Sequence, residues 1–368
     1  MAIPTTKAFL RSPYWVTKSR TLLDYIVVDL YIWTGDLVTD EPSSPTIQLR
    51  STAFDGKASV DIAEFARDYV EVTFSGTEAS NAVWVRYDLT WTDTDNATGT
   101  DTSVYLVGLD GFSYFEDGIN YQWSNDILMG SERQVAYGST VINVPVWHYY
   151  LTGYKLWKNP NLGTPFHTVT GLTADDDTSD VIRYISNFGS ADYADYITLQ
   201  FDNGTPYERT VYIDYQDCTK YQYQKVYFVN RYGAIQQIHF LGKSMVTMNV
   251  EDNTYKRNIL ENDGTYSNKR HQIHTLNKNG KISITLNSGW VKETENDTFT
   301  ELLLSEQVWL YLEKAELGIG WIGKESSSFV LPVLVKTKTL QIKNNTNDKL
   351  INYTIELEGA SDRINTVR

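Results

Sequence analysis

Short runs of alternating or unbroken apolar residues return roughly every ten to fifteen positions along this chain, and each is closed by Gly, Asn, Asp or Pro. The runs at 24–33, 82–91, 103–109, 196–201, 210–215, 226–230 and 329–335 are rich in Val, Ile, Tyr, Trp and Thr. Branched and aromatic side chains suit a pleated surface, and the bounding residues supply turn chemistry, so each run reads as a strand. Strand following strand, with little of the 3.6-residue period between, restricts the chain to an all-β sandwich or barrel architecture.

Local turn chemistry refines that picture. Asn279-Gly280 lies between 271–277 and 281–287, where Ile282, Ile284 and Leu286 alternate with Lys281, Ser283 and Thr285. Asn-Gly favours the type I′ turn, so a hairpin is expected with one face buried and one wet. Asn203-Gly204 is expected to turn 197–202 back onto 210–215. Two short helices interrupt the strands. Ile62, Phe65, Ala66 and Tyr69 follow the spacing of a buried helical stripe, with Asp61 as N-cap and Glu64 three residues on. Thr298 with Glu301 forms a second capping pattern ahead of Leu302–Leu304, and a strand is expected over 307–312.

A length of 368 residues suggests about two or three domains. Three β-modules in series are expected. The first spans 1–130 with one helix, the second 131–220, and the third 221–368 with the other helix. The net charge of −14 disfavours both a phosphate-gripping surface and docking on an anionic membrane. A single cysteine, Cys218, excludes an internal disulfide framework and a cysteine-based zinc cluster. The N-terminus carries no long apolar core, and the apolar run near Tyr25 is broken by Asp29, so synthesis in a reducing cytosol is expected. The Asn-x-Ser/Thr triplets at Asn96, Asn203, Asn296, Asn344 and Asn352 then record turn composition rather than glycosylation.

The search for catalytic chemistry gives no site. Gly242-Lys243-Ser244 resembles the end of a phosphate loop, but the position that requires glycine is Gln237. His271 and His274 would face opposite sides of an extended strand. No Gly-x-Ser-x-Gly elbow occurs, and Cys218 has no local partner. Asp175-Asp176-Asp177 reads as a solvated turn, and Asp61, Glu64 and Asp68 as a solvated helix face. Asp24, Asp29, Glu116 and Asp117 flank aromatics, and convergence of two such acids is what a glycan-cleaving enzyme would need. No catalytic residue, cofactor site or metal site is assigned. The aromatic content of 13% is high, and Tyr and Trp are enriched where proteins meet. It also suits stacking on sugars, for which Trp15, Trp91, Trp123, Trp147 and Trp157 are candidates.

The segment 225–240, Lys-Val-Tyr-Phe-Val-Asn-Arg-Tyr-Gly-Ala-Ile-Gln-Gln-Ile-His-Phe, resembles virion proteins of tailed bacteriophages, including the crAss-like group. Residues 53–72, around Val60-Asp-Ile-Ala-Glu-Phe-Ala-Arg-Asp-Tyr-Val70, are similar to a short helix after the first strands of such proteins. Residues 303–368 resemble them as well, through Leu331-Pro-Val-Leu-Val and Asn352-Tyr-Thr-Ile-Glu-Leu-Glu. These pieces cover less than half the chain and carry no catalytic residues. The resemblance implies a non-enzymatic virion protein made in the host cytoplasm, a ring-forming adaptor of a tail, neck or baseplate. Its partners would be copies of itself and neighbouring tail or connector proteins, without nucleic acid or membrane. The alternative is a carbohydrate- or receptor-binding tail module.

Overall fold

The computed structural model describes residues 4–123, 126–158, 163–190, 192–216, 220–221, 223–261, 263–312, 329–342 and 350–362. Cys218 and Asn344 lie outside these residues. The fold is mostly β, with two short helices, and its sheets fit β-sandwich modules placed in series. Strand ladders occupy three stretches, 7–109, 133–216 and 224–359, and among the described residues no ladder between strands joins one stretch to another.

In the first stretch, Leu23–Trp33 and Ala82–Asp93 pair antiparallel at the centre of a sheet. Ile47–Thr52 flanks one side, and Val104–Leu109 followed by parallel Lys7–Phe9 flanks the other. Successive residues of these strands feed two different cores. Ile26, Val28, Leu30, Val83, Val85 and Leu106 pack beneath Val16, Ala58, Ile62, Ala63 and Ala66. Tyr31, Trp33, Trp84, Val107, Leu109 and Phe9 point the other way. There they meet Trp123 and Leu128, Trp147, Val181 and Ile182, and Ala234, which belong to the two following stretches and the segment leading into them. Burial on both faces explains why these strands read as unbroken apolar runs rather than clean alternation.

The middle stretch forms a five-stranded sheet in the order His167–Thr170, Leu151–Trp157, Tyr196–Asp202, Pro206–Gln216, Arg133–Tyr137. A two-stranded layer, Asn143–Trp147 with Ile182–Ser186, closes over it. Asn203-Gly204 is the expected reversal: Asp202 pairs with Pro206, Gly204 takes φ +98°, and its N–H donates to Asp202 Oδ1 at 2.9 Å. The last stretch is a seven-stranded antiparallel sheet from Ile235–Phe240 at one edge to Met245–Lys256 at the other. Its core lies beneath α2, Asn296–Leu304, with Phe299 and Leu302 buried.

The hairpin expected at Asn279-Gly280 does not form. Ile273–Asn287 is one continuous strand, and its partner is Met245–Lys256, with Val250 opposite Gly280 and Glu251 opposite Asn279. Gly280 is not in the positive-φ region that a type I′ turn demands. A local hairpin would satisfy only about seven residues a side, whereas the upstream strand satisfies the whole length. Ile282, Ile284 and Leu286 do enter the core as expected. On the other face, Ser283 is buried, beneath Asn249, rather than wet.

Both helices are placed differently from their expected caps. The first, α1, covers only Ala63–Arg67, so Tyr69 falls beyond it and is exposed. Asp61 lies one residue before the N-cap position, and its Oδ1 accepts from the N–H groups of Ala63 and Tyr14. In α2, Thr298 and Glu301 are buried inside the helix rather than at its start, which a 3-10 turn, Glu293–Glu295, precedes. The strand after it is Val308–Leu312, as expected.

Candidate functional site

The turn Asn230-Arg231-Tyr232-Gly233 joins Gln224–Val229 to Ile235–Phe240 and inserts among all three stretches. Asn230 is fully buried. Its Oδ1 accepts from Tyr232 N–H at 3.0 Å and Ala234 N–H at 3.1 Å. Its amide donates to Leu128 O at 2.6 Å and to Gln236 Oε1 at 3.0 Å. Arg231 pairs with Asp117 and lies over the Tyr114 ring at 4.4 Å, while its carbonyl accepts from Phe112 N–H at 2.8 Å. Gly233 has φ +78°, and a Cβ there would stand 2.9 Å from Asp110 N. The segment is a peg held by the Asn230 side chain and by close backbone contacts.

Several ionisable groups are buried at these junctions, among them Glu301, which the sequence marked only as a capping residue. Burial pushes Glu295 up to about 8, Asp214 adding and Arg133 and Lys292 opposing. It pushes Glu301 up to about 7 against the pull of Arg231, and Asp110 up to about 6 against Arg11 and Arg67. Burial lowers His239 to about 3, with Lys225 adding to the effect. Lys7 is lowered to about 8 by burial, with Asp126 opposing, and its Nζ lies 4.2 Å from the Trp123 ring centroid. Buried His148 places Nδ1 2.6 Å from Asp180, but its Nε2 accepts from Arg183 at 2.9 Å, so no lone pair faces a substrate.

These shifts set the pH response. Glu295 and Glu301 hold protons when folded that they release when unfolded, so stability falls as pH rises from about 4.5 toward their folded values of about 8 and about 7. His239 acts oppositely, but only between about 3 and 6.5. Melting temperature is therefore expected to decline between pH 6.5 and 8. Glu295→Gln should flatten the upper part of that decline in a calorimetric pH series. An unchanged slope would refute the assignment.

The residues singled out in the sequence scatter. Trp123 and Trp147 are core residues and cannot stack on a sugar, whereas Trp91 lies beneath Arg20 at 3.5 Å and Trp157 stacks on Tyr196. Trp15 is 37% exposed, and Trp290, unremarked in the sequence, is 62% exposed. Asp177 caps the 3-10 turn Thr178–Asp180 through Ser179 N–H, and Asp117 is committed to Arg231. Asp29 stands opposite Asp88 in the first sheet and accepts from Gln48. Gly242 sits in a tight connection after Phe240, donating its N–H to Asn287 O, and opens no helix. Among the described residues no group of three or more His, Cys, Asp or Glu is arranged to hold a metal.

What stands out is an arm. Ile273–Asn287 pairs with Thr354–Gly359 only from Ser283 onward, so, among the described residues, 273–281 continue with Met245–Lys256 as a two-stranded ribbon. Nine residues at strand rise make a projection of roughly 30 Å. Met248, Val250, Tyr255, Ile273 and Leu276 are all exposed on it, Leu276 at 75% in a bulge opposite Asn253 and Thr254. At the tip, Arg257, Arg270, His271 and His274 line one pocket of about 440 Å³. The two histidines therefore share a site instead of facing apart, because His271 precedes the strand and belongs to the connecting loop.

No protein-family model matches the chain, and no curated protein does. Among solved structures the chain is similar to the extracellular domains 3–5 of Drosophila OTK, at 10% identity over 77% of this chain and 90% of that one. The TM-score of 0.22 is too low for that likeness to carry an argument. Among the described residues, no helix is long and apolar enough to cross a membrane.

Proposed function

We propose that this chain is a non-enzymatic structural protein of a tailed-phage virion, a ring-forming adaptor of the tail, neck or baseplate. The observation that supports this reading best is the arm. A two-stranded ribbon alone is at best marginally stable in water, and this one exposes apolar side chains along its length. Such a ribbon makes physical sense when another protein surface receives it. A rigid body with a projecting edge also suits head-to-tail contacts that close into rings. The resemblance of 225–240 and 303–368 to virion proteins supplies the setting.

Native mass spectrometry of the purified chain, with electron microscopy of the particle that contains it, tests the reading. Multiple symmetric copies per particle are expected. A protein that stays monomeric and is absent from particles would end the proposal.

A further inference from the structure

We infer that the arm is a basic plug that seats on the acidic body of a second copy of this chain, a head-to-tail contact between unlike surfaces. The inference rests on the assembly reading above and names the surface and its partner. The charge of the molecule is segregated. From residue 249 to 281, the ribbon and its tip, six Lys and Arg stand against four acids, a local +2, so the overall −14 leaves −16 on the rest of the chain. Net positive charge thus sits on a projecting element of an otherwise strongly negative chain.

The tip has shape as well as charge. Its pocket is concave and carries two guanidinium groups and two imidazoles beside Leu260. Arg270 pairs with Glu261 at 3.1 Å, while Arg257 has no carboxylate partner among the described residues. A planar guanidinium presents donors that match a carboxylate edge, so an aspartate- or glutamate-bearing surface fits the pocket. Exposed ion pairs contribute little singly, but here they flank Ile273, Leu276 and Tyr255, whose burial would supply the nonpolar part of the contact. Because the arm is positive and the body negative, arm-to-arm pairing is disfavoured and arm-to-body pairing is favoured. That is the heterologous geometry required for ring closure.

The test uses the full chain in sedimentation velocity and native mass spectrometry. Raising salt from about 50 to 500 mM should weaken self-association about tenfold or more, since exposed charges are then screened. Arg257→Glu with Arg270→Glu should reduce the association constant at least as much, and the milder Arg257→Gln with Arg270→Gln should fall between. Circular dichroism would verify that each variant is folded. The decisive arm mixes isotope-labelled charge-reversed chains with wild type. Their acidic bodies are intact, so wild-type arms should still capture them and mixed species should appear.

Oligomers indifferent to salt and to both variants would overturn this inference while leaving the assembly reading intact. Failure of labelled variants to mix would overturn the arm-to-body geometry. A wild-type chain that never associates and is absent from particles would instead remove the reading beneath it. Preferential capture of a short DNA duplex by the arm would replace a second copy with nucleic acid and also overturn the proposal.

Discussion

Trp84→Ala is expected to cost about 3–5 kcal/mol and to broaden the unfolding transition. Trp84 is fully buried in the cluster that joins the first sheet to Trp147, Ile182 and Ala234, and its Nε1 donates to Gly35 O at 2.8 Å. Removing the indole leaves a cavity and an unsatisfied carbonyl at the place where the three stretches share one core. The loss is therefore expected to uncouple them, so that denaturation followed by near- and far-ultraviolet dichroism no longer gives coincident curves. The exposed control Trp290→Ala should stay within about 0.5 kcal/mol of wild type. Comparable losses for the two variants would show that the junction is not the weight-bearing core.

Asn230→Asp should be nearly as damaging although it changes almost no volume. The carboxylate can still accept from Tyr232 and Ala234, but it can no longer donate to Leu128 O or Gln236 Oε1. Two buried oxygens lose a donor, at about 1–3 kcal/mol each, and an acceptor now faces them. Chemical denaturation should show the loss at pH 7 and partial recovery under mild acid, where the introduced group can protonate and donate once. Full stability at pH 7 would mean the peg is not held by its amide. Gly233→Ala offers a second route to the same joint, through the positive φ and the close Asp110 backbone.

Much of the strand framework was legible because burial on two faces imprints itself on composition. The runs at 24–33, 82–91 and 329–335 correspond to Leu23–Trp33, Ala82–Asp93 and Phe329–Val335. Turn chemistry was legible where the turn is local, as at Gly204, and misleading at Asn279-Gly280. There the winning partner begins at Met245, where Val246, Met248 and Val250 alternate with polar residues, but the polar stretch 251–254 breaks the pattern before the strand ends. The arm escaped for the same reason: a ribbon with both faces exposed sustains no hydrophobic period along its length. Glu295, Glu301 and Asp110 look like surface acids in sequence, and only the packing of α2 and the 230–233 turn shows them to be buried.

The shared core of the first sheet also bears on how the chain is made. One side of that sheet can close as soon as residue 109 has left the ribosome, but the other waits for Ala234. At roughly 5–20 residues per second, the roughly 125 intervening residues correspond to about 6–25 s of translation. For that interval Trp33, Trp84 and Phe9 stay uncovered on a nascent polypeptide. A holding chaperone, or a slow codon stretch placed to shorten the wait for the middle segment, would have its largest effect on yield there.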